Sequence, residues 1–252
     1  MNIAVVTGAS SGLGREFVYL LDTIGLDEIW VTARRKDRLM ALQKQIHTTV
    51  RVFSGDICRL DTIELLRQAL VEEKPVVAYL IYAAGLGRIG SVTDIPPTEQ
   101  QQMLRVNCEG AITMTSLCMP YMEVGSHIVE MCSVAAFQPL PYFSVYAATK
   151  AFLYHYSLAL AVEMESKGIA VTAVCPYWVK DTEFIPLADT SNHTYHFRPY
   201  PFASTTKKVA RQAWQDIQKR KRVSTPGWPA FFLRIITALI PNEIIMWFCR
   251  FF

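Results

Sequence analysis

The sequence predicts an α/β fold in which a doubly wound parallel sheet carries helices on both faces. Two observations lead there. Short apolar runs of β type alternate with segments of about 10–20 residues in which apolar positions recur at helical spacing, the pattern of βαβ units. The runs also lack polar alternation, as strands covered on both faces must. In chain order the strands fall at residues 3–7, 28–33, 50–54, 76–82, 127–132 and 169–175, with a short edge strand at 223–226. Helices are expected at 15–21, 37–46, 61–72, 98–118 and 146–167, followed by a basic amphipathic helix at 207–222. A TIM barrel would need eight strand–helix units, more than this spacing supplies.

Composition narrows the class. A chain of 252 residues fits one large α/β domain, and neither an internal repeat nor a linker divides it. The 51% hydrophobic share excludes disorder, and 12 Gly with 13 Pro exclude a collagen-like or low-complexity chain. A net charge of +3 is too small for a dedicated nucleic-acid binder. Mean hydropathy is nevertheless positive, at +0.19, and charged residues make up only 19%. The six cysteines, at 58, 108, 118, 132, 175 and 249, form no CxxC and have no histidine at ligand spacing, so no metal site is expected. Most lie in apolar runs, as reduced buried thiols do. The N-terminus lacks the basic flank and long apolar core of a signal peptide, and a cytoplasmic, reducing compartment is the expectation.

The first strand ends in Thr7-Gly8-Ala9-Ser10-Ser11-Gly12-Leu13-Gly14. Glycines at 8, 12 and 14 let the backbone approach a pyrophosphate at the N-terminus of the next helix, where free N–H groups and the helix dipole favour an anion. A Gly-rich turn that follows a first strand and opens a helix is a dinucleotide-binding signature. The second strand ends at Ala33-Arg34-Arg35. In place of the acid that holds a ribose 2′-hydroxyl, Arg34 and Arg35 offer guanidiniums suited to a 2′-phosphate, which favours NADP(H) over NAD(H). Tyr146 and Lys150 stand one helical turn apart on one face, where the ammonium is expected to lower the phenol pKa. Ser133 lies 13 residues before Tyr146, at a parallel strand end, where its hydroxyl is placed to hydrogen-bond a carbonyl oxygen.

Together these residues resemble the short-chain dehydrogenase/reductase family, in its single-domain, hydroxysteroid dehydrogenase and ketoacyl reductase-like branch. The resemblance spans residues 1–226, taken as one Rossmann-fold domain, and leaves 227–252 as an apolar extension. It implies a seven-stranded sheet and hydride transfer between a nicotinamide cofactor and an alcohol/carbonyl pair. It also implies roles: Tyr146 as general acid in reduction, Ser133 polarising the carbonyl, and Lys150 tuning the tyrosine and binding the nicotinamide ribose. Asn107 matches the helix asparagine that holds a water in the proton relay, and Asp56-Ile57 the adenine-binding pair. Two motifs depart from the family pattern. Asn-Asn-Ala-Gly appears as Tyr82-Ala83-Ala84-Gly85, and Pro-Gly-x-Val-x-Thr as Pro176-Tyr177-Trp178-Val179-Lys180-Asp181-Thr182. Ala83, Ala84, Gly85, Pro176, Val179 and Thr182 are still expected at the cofactor, with Tyr177 and Trp178 lining the substrate side. The family implies a homo-oligomer, formed through the Asn107 and Tyr146 helices.

Residues 177–203 read as a long loop or lid in which His193 and His196 are exposed rather than metal ligands. Beyond Gly227, Pro229, Arg234 and Pro241-Asn242-Glu243 break the apolar tail into stretches of about a dozen residues, short of a membrane span of about 20. Three readings of the tail stay open: two short helices closing an apolar substrate pocket, a subunit interface, or an interfacial membrane contact with Arg234 and Arg250 among headgroups. The functional expectation is an NADP(H)-dependent oxidoreductase of a hydrophobic ketone or secondary alcohol. Its alternative is a non-catalytic NADP-sensing scaffold that binds a partner or membrane through the tail.

Overall fold

The structure is a computed structural model that describes residues 1–189 and 202–248. His193, His196, Cys249 and Arg250 lie outside these residues.

The strands are β1 (Asn2–Thr7), β2 (Glu28–Ala33), β3 (Thr49–Ser54), β4 (Val76–Tyr82), β5 (His127–Met131), β6 (Ala170–Val174) and β7 (Val223–Ser224). They form one seven-stranded sheet in the order β3-β2-β1-β4-β5-β6-β7, every neighbouring pair parallel. The order reverses between β1 and β4, so the connections that follow them leave in opposite directions and open the crevice in which doubly wound sheets bind ligands.

Both faces of the sheet are covered, which is why its strands are predominantly apolar. Ile3 and Val5 of β1 join one core with helices α3 (Leu60–Glu73), α5 (Gly110–Cys118) and α6 (Ser144–Glu163). Ala4 and Val6 join the other with α1 (Gly12–Leu21), α2 (Lys36–Gln43) and α8 (Thr206–Gln218). In the first core Leu66, Leu70, Met114, Cys118 and Leu153 have no exposed surface; in the second, Phe17, Val18, Leu21, Leu39 and Ile217 have none. Burying a side chain of this size stabilises the fold by about 1.5–3 kcal/mol.

The helix expected at 98–118 forms, but not as one regular helix. It runs as α4 (Pro97–Leu104), a π-helical turn over Arg105–Glu109, and α5. Gly110 N donates to Arg105 O, an i to i−5 bond, and the freed Val106 carbonyl accepts from the Tyr82 hydroxyl. Gly110 lacks the Cβ that would fill the space of that hydroxyl. A side chain inserted into the helical ladder is a recognised cause of such a bulge. It comes from Tyr82, the first departure from the family pattern, and it fixes the helix beside Asn107.

The loop after β6 contains a short helix, α7 (Phe184–Ala188), that periodicity did not indicate. The tail folds as α9 (Trp228–Leu239) and α10 (Asn242–Phe248). Among the described residues no helix is long and apolar enough to cross a membrane. Helix α9 is turned inside out. Ala230 is fully buried, and Leu233, Arg234 and Thr237 on the same stripe are half-buried. Phe231, Phe232, Ile235, Ile236 and Leu239 face outward and are exposed.

Candidate active site

The C-terminal ends of β1, β2, β4, β5 and β6 open on a cavity of about 720 Å³. All of the site residues expected from sequence line it except Asn107. At one end lie the glycine turn, Arg34, Arg35 and Asp56-Ile57; at the other lie Ser133, Tyr146 and Lys150.

The first end fits a dinucleotide. Gly8 has φ +66°, and a Cβ there would lie 2.6 Å from the Ala83 carbonyl oxygen. A Cβ on Gly14 would lie 2.5 Å from Gly8 O. Strand β1, the chain after β4 and the first turn of α1 therefore touch backbone to backbone. Thr7 completes the joint, its Oγ1 accepting from Ala83 N and Ala84 N at 3.0 Å each. This hydroxyl holds the segment where the family pattern has asparagine. Helix α1 starts after Ser11 with no side-chain cap and no acid in its first turn. Its leading N–H groups are thus left to an anion at a favourable dipole end. Asp56 accepts from Cys58 N at 3.0 Å, which shapes the turn after β3 around Ile57.

Arg35 reaches over this turn. It donates to Ser10 Oγ (3.1 Å) and Ser11 Oγ (2.7 Å), and on its other side to Glu183 of the α7 segment at 2.6 Å. Arg38 also binds Glu183, at 2.8 and 2.9 Å. Sequence reasoning missed Glu183. It stands 148 residues from Arg35, and no local pattern links the two.

At the other end, Ser133 leaves β5 in extended backbone, and its Oγ accepts from Ala135 N at 3.1 Å, fixing the hydroxyl at the head of a short 3₁₀ turn. Tyr146 sits in the first turn of α6, almost fully buried, and lines the cavity beside Ser133. Lys150, one turn on, donates from Nζ to Met131 O at 2.6 Å. Burial pushes the Tyr146 phenol above its usual range, and the neighbouring Ser133 side chain opposes that push. Burial likewise lowers Lys150. The expected depression of the phenol by Lys150 is therefore absent from this arrangement. The ammonium is directed to a backbone carbonyl, 5.7 Å from the tyrosine ring centre.

Asn107 stands behind the cavity lining. It is wholly buried. Its Nδ2 donates to Leu86 O (2.8 Å) and Thr149 Oγ1 (2.9 Å), and its Oδ1 accepts from Leu86 N (2.8 Å). With its amide bonded at both ends to protein, the side chain ties the chain after β4 to α6 rather than facing the cavity. Thr149 Oγ1 in turn donates to Tyr146 O at 2.7 Å, so Asn107 positions the tyrosine's own turn.

Aromatic side chains close the substrate side. Phe143 stacks on Tyr146 with ring centres 4.2 Å apart, and Phe184 packs on it at 5.3 Å. Tyr177, Trp178, Leu140 and the tail residue Leu233 line the same end. Thr182 faces the cavity near Gly12, its hydroxyl donating to Val179 O at 3.3 Å. Among the described residues no group of His, Cys, Asp and Glu is placed to hold a metal.

A family model described as short chain dehydrogenase matches residues 2–191. An uncharacterized oxidoreductase of Myxococcus xanthus is 31% identical over 247 residues, covering 96% of this chain and 93% of the relative. The 17-beta-hydroxysteroid dehydrogenase type 3 of Mus musculus is 29% identical over 69% of this chain and 59% of its own length. The very-long-chain 3-oxoacyl-CoA reductase of Podospora anserina is 30% identical over 70% and 54%. Among solved structures, a short-chain dehydrogenase from Sphingobium yanoikuyae in complex with NADPH superposes with a TM-score of 0.78 at 23% identity, covering 90% of this chain and 89% of that one. A Burkholderia phymatum enzyme in complex with NAD gives 0.81 at 20% identity, with 97% and 94% covered.

Proposed function

The chain belongs to the short-chain dehydrogenase family, and we propose that it is an NADP(H)-dependent oxidoreductase that interconverts a hydrophobic ketone and the matching secondary alcohol, of steroid-like or acyl ketone class. The observation that carries this reading is the placement of Ser133 and Tyr146 together at the aromatic end of a cavity whose other end is a glycine cradle. A bound nicotinamide supplies or takes up the hydride. The chain's own residues do the rest. Ser133 and Tyr146 present two hydroxyls to one carbonyl oxygen, and Tyr146 gives up its proton there in reduction. Asn107, Thr149 and the Tyr82-induced bulge hold that hydroxyl in place, and Phe143 and Phe184 keep water from the reacting end. Lys150 and the backbone of Val179 face the nicotinamide end of the cavity.

Arg35, resting on Ser10 and Ser11 at the turn's edge, supports a 2′-phosphate and hence NADP(H). Tyr177, Trp178 and Leu233 support an apolar substrate, in keeping with the names of the mouse and Podospora relatives. The test follows absorbance of NADPH with a panel of steroid, acyl and small ketones. Oxidation of NADPH by the large apolar ketones, with NADH slower, is expected. No turnover on any ketone would favour the scaffold alternative.

The tail supports a peripheral contact with a lipid surface. The outward face of α9 is charge-free from Phe231 to Ile240. Its N-terminus is tied to the middle of α8, where Gln212 accepts from Gly227 N at 2.9 Å, and α8 also carries exposed Lys207, Lys208 and Arg211. An apolar face beside exposed cations suits an anionic interface. Sedimentation with phosphatidylcholine vesicles containing about 30% phosphatidylserine is expected to bring the protein down, and Phe232→Asp to abolish this. A protein that stays in the supernatant, and instead loses a dimer on Phe232→Asp, would make the face a subunit contact. Exposed Ile112 on α5 and Phe152 on α6 offer a separate surface for the homo-oligomer. The five described cysteines are free, in keeping with a reducing, cytoplasmic location.

A further inference from the structure

The two arginines at the adenosine end already hold an anion, and it belongs to the chain itself. Glu183 gives one carboxylate to Arg35 and Arg38 together, with Arg35 simultaneously bonded to Ser10 and Ser11 of the glycine turn. The carboxylate therefore lies against the guanidinium expected to receive a cofactor 2′-phosphate. We propose that Glu183 is a built-in competitor for the 2′-phosphate and so sets how strongly the protein discriminates NADPH from NADH.

This rests on the NADP(H) reading and refines it. The side chains of Arg35, Arg38 and Glu183 are 36, 41 and 44% exposed, so the cluster is wet enough to exchange one anion for another. The same guanidiniums hold the Glu183 carboxyl below the usual carboxylate range, which keeps the competitor ionised at neutral pH. A phosphate dianion and a carboxylate cannot share two guanidiniums without mutual repulsion, whereas a free 2′-hydroxyl brings no charge to the cluster.

The competition also reaches the reacting end. Glu183 immediately precedes α7, whose Phe184 packs on Tyr146. At its far end α7 is held by Ile89 N to Ala188 O (2.8 Å) and by Arg88 to Leu187 O (2.7 Å). Glu183 is thus the near-end anchor of the segment that covers the tyrosine.

The test measures binding of NADPH and NADH by calorimetry to the wild type, Glu183→Gln and Glu183→Ala. Two exposed ion pairs removed should tighten NADPH about 3–10-fold and leave NADH within about twofold. Hydrogen exchange on the cofactor-free variants should quicken at 184–189, where the near-end anchor is gone, and remain as in the wild type at α1. If the wild type prefers NADPH but neither variant tightens it, Glu183 is no competitor and the inference fails while the NADP(H) reading stands. If the wild type and both variants bind NADH as tightly as NADPH, the NADP(H) reading falls and the inference with it.

Discussion

Replacing Tyr146 with Phe is expected to lower kcat for ketone reduction about 10²–10⁴-fold, or about 3–5 kcal/mol on the barrier, with NADPH affinity unchanged within about twofold. The substitution removes one hydroxyl and little else. Phe143 still stacks on the ring position, and the backbone bond from Thr149 to residue 146 remains. A loss in kcat without a loss in cofactor affinity, read by single-turnover kinetics and calorimetry, is the signature of a proton donor. Turnover that survived would sink the mechanism. The pH profile adds an independent check. Reduction uses the protonated phenol, and burial raises its pKa. Proton donation should thus persist on the alkaline side beyond the ordinary tyrosine range near 10, and a rate that falls off near pH 8 would point to a different acid.

That sequence alone located this tyrosine follows from how the fold builds its site. The glycine turn, the β2 end, Ser133 and the start of α6 all lie at the C-terminal edge of one parallel sheet. Strand periodicity and short motifs fix such positions without tertiary information. The strands at 28–33 and 76–82 came out at their full extent for the same reason, since both are apolar runs between polar turns. What periodicity could not show is where side chains turn once packed. Lys150 was expected to act on the phenol because the two share a helix face, yet Met131 O, brought in by β5, takes its ammonium. Asn107 was expected at the site from its place on its helix, yet the partners of its side-chain amide, Leu86 and Thr149, come from two other segments. Glu183 meets Arg35 only because the loop after β6 folds back over the turn after β1. Each of these depends on contacts between segments far apart in the chain, to which local spacing is blind.

The glycine cradle makes the second large effect separable into its physical causes. Gly25 has φ +77° and nothing within 4 Å of where a Cβ would stand, so Gly25→Ala meets backbone strain alone. Strain of that kind is worth about 1–2 kcal/mol. Gly14 has no positive φ, but its Cβ would strike Gly8 O at 2.5 Å, so Gly14→Ala meets steric conflict alone, about 1–3 kcal/mol. Gly8 combines both, with φ +66° and the Ala83 carbonyl at 2.6 Å, and its replacement by Ala should cost about 2–5 kcal/mol. For a domain of this size about 1 kcal/mol shifts Tm by about 2–4 °C, so the three variants should rank Gly8 worst by thermal unfolding. Cofactor binding should divide them differently. Gly25→Ala leaves the cradle untouched and should bind NADPH as the wild type does. Gly14→Ala pushes the α1 start away from Gly8, and Gly8→Ala pushes the glycine turn away from the chain after β4; both should weaken NADPH by about tenfold or more, since a displacement of about 1 Å spoils several anion contacts at once. If Gly14→Ala were destabilised yet bound NADPH normally, close backbone approach would be a packing requirement of α1 against the end of β1 and the pyrophosphate would lie elsewhere.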